Sequence, residues 1–316
     1  MRHALVALAL FTVACTTTQP PSPTGEVRMV VDEANAVLAI LDKRQRGDTI
    51  TDADWQRVFA SEGYVRLKAR EHSMKRAFED ETFRQFVMSD ELLARREELA
   101  TTVKNWLTTD ISNAAAKALA YLPKSTRLRA KVYPVIKPAK NSFVFDLSGD
   151  PAIFIYVEAQ SREVFAMTIA HELHHVGYAA ACPVPEGTSQ WIGAFGEGLA
   201  TLAAAGGPQG IPQQRPDVMA EWTKQMAQFD QNFREVEAFL SAVEKGELTG
   251  DAETKRGFEL FGIVGPWYTV GWKMAVVIEK TLGRDALIAA SCNGRELLRT
   301  YNRAVAMSGE PLPTWP

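Results

Sequence analysis

The sequence predicts an α+β fold, mostly helical, with one small sheet set between two helical stretches. Three observations predict it. Apolar residues recur at three- and four-residue steps from about 27 to 122, alternate between 127 and 158, and return to helical spacing from 161 onward. The 316 residues are 46% hydrophobic and 23% charged, enough for one large domain or two smaller ones. A formal net charge of −3 gives no bulk attraction to nucleic acid or to an anionic membrane surface. A nucleic-acid partner is therefore not expected.

The first 25 residues carry a targeting pattern. Arg2 and His3 precede an apolar stretch, Ala4 to Ala14, too short to span a bilayer but of signal-peptide size. Thr12-Val13-Ala14-Cys15 then resembles the bacterial lipobox, with Thr12 where Leu is usual. The Thr- and Pro-rich run after it, without charge before Glu26, reads as a flexible tether. The expectation is a signal peptide over 1–14, a lipid on Cys15 and a tether over 15–25. The mature protein would then be anchored to the membrane at the bacterial cell envelope, on the outer-membrane or periplasmic side; without the lipid it is secreted. Cys182 and Cys292 remain as an even pair in an oxidising compartment. A disulfide between them, or two buried thiols, fits the sequence equally well.

The elements follow in order. Residues 26–125 read as a helical N-terminal subdomain. Val27, Val30, Val31, Ala34, Val37, Leu38 and Leu41 keep helical steps, and Thr51-Asp52-Ala53-Asp54 and Ser89-Asp90-Glu91 have the residues of helix starts. His72, among Arg70, Glu71 and Lys75, reads as a solvated surface residue. Residues 126–316 read as the domain that carries the chemistry. Alternation over Leu128–Val135, Phe143–Phe145 and Ile153–Val157, with turns at Pro138, Asn141 and Ser148-Gly149-Asp150-Pro151, gives a sheet of three or four strands. Helices follow over about 161–181, 188–205, 216–245, 266–282 and 293–307.

The first of those helices holds His171-Glu172-Leu173-His174-His175, three of the five histidines in the chain. At 100° per residue, Phe165, Ile169, Leu173, Val176 and Ala180 fall in one apolar sector, with His171 and His175 beside it. Four residues and one turn apart, two imidazoles can converge on a zinc ion at about 2.0–2.1 Å. Glu172 projects from the neighbouring edge, placed to act as general base on a water held by the metal. His174 lies on the far side of His171 from His175, so it reads as an outer residue behind the ligands or at the surface, not as a ligand.

A catalytic zinc takes three protein ligands and a water. No histidine follows His175, so the third ligand must be a carboxylate or something less usual. Glu197 leads, because Gly196 and Gly198 flank it and would let two helix backbones approach closely. Glu186 and Asp217, in Pro-rich loops, are weaker rivals. An oxyanion formed at the zinc needs a further donor, and Tyr268, at a helix start marked by Pro266, can supply one. Packing among Trp267 and Trp272 is its alternative role.

Met167 to Tyr178 (MTIAHELHHVGY), Glu197-Gly198-Leu199-Ala200 and Tyr268 to Lys280 (YTVGWKMAVVIEK) resemble an uncharacterised bacterial family of zinc-dependent peptidases, over the C-terminal half. The resemblance implies a zincin-like core of gluzincin type: a small sheet, an active-site helix and a helical C-terminal part. It implies one zinc ion per chain on His171, His175 and Glu197, with Glu172 as base. The sequence departs from the best-known gluzincins in having Thr201, not Asp, four residues after Glu197. The expected activity is a zinc metallopeptidase acting on a peptide or protein. The competing readings are a zinc amidase on cell-wall peptides and a non-catalytic binding lipoprotein on the same scaffold. Structural zinc sites are closed and Cys-rich, which favours the catalytic readings.

Overall fold

The computed structural model describes residues 26–182, 189–210, 212 and 215–316. Cys15, the signal peptide, the tether and Glu186 lie outside the described residues. Strand β1 (Glu26–Met29) leads into seven helices: α1 (Asp32–Arg46), α2 (Asp52–Phe59), α3 (Glu62–Ser73), α4 (Asp80–Val87), α5 (Asp90–Ala94), α6 (Arg96–Leu107) and α7 (Ile111–Leu119). Strands β2 (Arg129–Val135), β3 (Phe143–Phe145) and β4 (Ala152–Tyr156) come next, then the long helix α8 (Arg162–Ala181). A short α9 (Ser189–Ile192) and a 3-10 turn lead to α10 (Gly196–Ala205). The chain ends in α11 (Pro216–Ala227), α12 (Phe229–Glu244), α13 (Gly250–Glu259), α14 (Pro266–Leu282), α15 (Arg284–Ser291) and α16 (Gly294–Ser308). The result is mostly helical with a small mixed sheet, an α+β fold. Among the described residues no helix is long and apolar enough to cross a membrane.

The sheet order is β1-β2-β4-β3, with β1 and β4 parallel to β2 and β3 antiparallel to β4. β4 is buried along its whole length, and its period of two feeds two cores. Ile153 and Ile155 face the first core with Phe165, Ile169 and Leu173 of α8; Ala152 and Phe154 face a smaller cluster with Leu67 and Tyr133. The first core runs from Ala34 through Trp106 and Leu128 to Val176, so residues on both sides of position 125 share it. Trp106 stacks on Phe165 with ring centroids 4.1 Å apart and ties α6 to α8. A further core gathers α10, α12, α14 and α16 around Phe195, Trp267, Met274 and Tyr301.

Several elements differ from the sequence reading, among them the helix expected over 188–205, which is α9, a 3-10 turn and α10. The helix expected from Val27 begins at Asp32, because 26–29 pair as β1 with β2, Val27 opposite Ala130 and Met29 opposite Val132. The span 216–245 is two helices, broken at Gln228, where the Asn232 side chain donates to the Gln225 carbonyl at 2.9 Å. The short helices α13 and α15 fill regions the periodicity left open. Helix α8 matches its expected span within one residue.

Candidate metal centre

Helix α8 starts at Ser161, whose Oγ accepts from the Val164 amide at 3.2 Å, an N-cap. Its far end is held twice. Cys182 is joined to Cys292 by a disulfide, and the Tyr178 hydroxyl donates to the Ser291 carbonyl at 2.9 Å. A side chain at Gly177 would meet Leu122 Cδ1 at 2.3 Å, so α8 lies hard against the segment after α7. Fixed at both ends and along its apolar face, α8 presents His171 and His175 to the next helix pair.

Glu197 arrives on α10 through a close helix contact. A Cβ on Gly198 would stand 2.0 Å from the Trp272 backbone nitrogen, and one on Gly271 would stand 2.7 Å from the Phe195 carbonyl oxygen. Only glycine lets α10 and α14 approach this closely. Gly196 has open space around it and takes no part in the contact, contrary to the expectation that both glycines serve it.

The three side chains converge. His171 Nε2 lies 3.1 Å from Glu197 Oε2 and 3.1 Å from His175 Nε2, and His175 Nε2 lies 3.3 Å from the same oxygen. Three ligands of a tetrahedral zinc, each about 2.0–2.1 Å from it, stand about 3.3 Å from one another. The triangle therefore fits the ion without rearrangement. Two ring nitrogens and a carboxylate oxygen at this spacing can hold a cation between them, and the charges of the site favour one. Burial pulls the His175 pKa down, but Glu197 and Glu172 outweigh it and push it up to about 9. Burial alone would raise the Glu197 pKa; the two histidines hold it well below the usual carboxylate range. Among the described residues no other group of His, Cys, Asp or Glu side chains could hold a metal in this way.

Glu172 and His171 line a cleft of about 220 Å³, together with Tyr268, Thr201 and the side chains of α11. Burial raises the Glu172 pKa, against the opposing pull of His171 and His175. Tyr268 lies over His171, ring centroids 6.2 Å apart and 14° from parallel. Burial, then Glu197 and Glu172, push its pKa well above the ordinary value, so it is a protonated donor at neutral pH. His174 is 1% exposed, so the surface half of its expected placement is corrected. It faces inward near Tyr178, ring centroids 6.3 Å apart, and burial pushes its pKa down to about 3. Asp217 is spent on Arg215, at 3.1 Å, and is no ligand.

The sequence reading missed the cleft walls. Arg215 reaches across to Glu158 at 2.8 Å and ties α11 to the segment after β4. The loop Lys140-Asn141-Ser142 lines the cleft, and so do Met219 and Trp222 of α11. None of these residues forms a motif, and only their position makes them part of the site.

The family model described as "Putative zinc dependent peptidase (DUF5700)" matches residues 53–310. The chain belongs to that family. The match takes in α2 to α7 as well as the C-terminal half, so the family unit includes helices that carry no ligand. The family is zinc dependent, and in this member His171, His175 and Glu197 are the group that can bind the metal. No curated protein and no solved structure matches the chain.

Proposed function

We propose that the protein is a zinc metallopeptidase with a zincin-like core, cutting peptide bonds with Glu172 as general base. The observation that carries this reading is Glu172 beside three converged ligands, in a cleft open to substrate. His171, His175 and Glu197 would hold the ion, with 16%, 21% and 19% of their side chains exposed. A zinc ion there supplies Lewis acidity that activates water and polarises a carbonyl. Glu172 takes the proton of the attacking water and passes it to the departing amine. Tyr268, protonated and stacked over His171, donates to the oxyanion that develops on the scissile carbonyl. The burial that raises the Glu172 pKa makes its carboxylate a better proton acceptor.

Metal analysis beside turnover tests this. Glu172→Gln is expected to keep about one zinc per chain, as the parent does, while cleavage of a mixed peptide library falls about 10²–10⁴-fold. Zinc retained in the parent with no peptide cut would sink the peptidase reading and leave a binding protein.

A further inference from the structure

We propose that the cleft carries a side-chain subsite for a large apolar residue next to the scissile bond. This rests on the peptidase reading above. Much of the cleft lining is apolar. Val218, Met219 and Trp222 come from a single face of α11, and Ile263 and Val264 come from the turn before α14. Trp222 is 8% exposed and edge-on to Trp272, with ring centroids 5.6 Å apart, so it forms a fixed base. Ile263 is 65% exposed, a large apolar side chain left in water at the wall of the same cleft as Glu172. The turn that presents it is set by Gly262, at φ +51°, and by Gly265, where a Cβ would meet the Leu260 carbonyl oxygen at 2.6 Å.

The charge at this wall is already spent. Arg215 binds Glu158 at 2.8 Å and Asp217 at 3.1 Å. Asn141, Ser142 and Gln160 also line the cleft, groups that can donate to and accept from a peptide main chain. That loop is held from below by Lys137, which donates to Asn141 Oδ1 at 2.7 Å. An extended main chain held by these groups turns successive side chains to opposite faces, so alternate ones can reach the apolar lining. Continuity with Glu172 and His171 makes the occupant a substrate side chain, and its size follows from the open apolar surface of Ile263 and Met219.

The test uses the full chain loaded with zinc and peptides randomised at single positions. Sequencing the products of the parent enzyme should show enrichment of Leu, Phe, Ile or Met at one position adjoining the cut. Immobilised Glu172→Gln protein should retain peptides with Leu or Phe at that position roughly ten-fold or more tightly than Gly analogues. Met219→Asp and, separately, the exposed Ile263→Asp should bring that ratio close to one with zinc content unchanged. Retention by Glu172→Gln with no cutting by the parent leaves the subsite standing and sinks the peptidase reading. Cutting without an apolar preference, or a preference untouched by both variants, overturns the subsite and leaves the peptidase reading standing. Neither retention nor cutting overturns both.

Discussion

Glu197 and His174 both lie beside His175, yet one is held for a cation and the other is shut away from it. Glu197 Oε2 reaches two imidazole nitrogens within 3.3 Å, while His174 packs inward towards Tyr178. Glu197→Ala should therefore lose most bound zinc, whereas His174→Ala should keep close to one ion per chain; metal analysis of both variants decides, and the reverse pattern would refute the ligand set. A second residue-scale effect concerns Glu33, 1% exposed in the first core and accepting from the Ile136 amide at 3.0 Å. Burial, slightly offset by that bond, pushes its pKa up from 4.5 to about 8. The folded protein thus binds more protons than the unfolded chain between those values, and stability falls as pH rises through that window. At about 1.4 kcal/mol per pKa unit the loss is roughly 3–5 kcal/mol. Denaturation of Glu33→Gln, compared with the parent at pH 5 and 8, should show a smaller decline; equal slopes would exclude Glu33 as the cause. The metal motif could be read from sequence because its ligands are local, one turn apart. The burial of His174 could not, since a helical wheel fixes direction on its own helix and says nothing of what other elements pack against it.

At the scale of elements, the site depends on how closely α10 can approach α14. The sequence pointed to this through glycines in a helix, an expense that needs a reason. It could not tell which of the two mattered. Gly198→Ala would drive a methyl group into the Trp272 backbone, and backbone cannot swing aside as a side-chain end can. We expect a loss of about 1–3 kcal/mol, with weaker zinc binding because the next residue, Glu197, moves with the helix. Gly196→Ala, in open space, should be neutral or slightly stabilising. Thermal denaturation and zinc titration of the pair measure both, and equal effects would reject the packing account. Helix α8 was legible because Phe165, Ile169, Leu173, Val176 and Ala180 fall in one apolar sector. Strand β1 was not. Val27 also fits helical steps with Val30, Val31 and Ala34, and its partner strand β2 lies about a hundred residues along the chain, beyond any local pattern.

On the scale of the whole molecule, the metal group sits where two cores meet. The histidines stand on a helix rooted in the first core, and Glu197 stands on one whose Leu199 and Leu202 belong to the other. That junction could not be read from periodicity, which marks faces as apolar without saying which faces share a core. The lipid on Cys15 remains our proposal for how the molecule is placed at the envelope. Growth with a palmitate analogue should label the parent and leave Cys15→Ala unlabelled; label persisting in that variant would end the proposal.

The position of β1 gives that anchor a mechanical meaning. The chain joins the sheet at Glu26, at the opposite edge from β3. From Cys15 to Glu26 there are 11 steps (26 − 15), which span at most about 40 Å when fully stretched. A lipid at Cys15 would therefore leash the enzyme to a shallow layer above the membrane. Within that layer it would meet only what comes to the surface, so the leash would select targets by where they are before the cleft selects them by what they are.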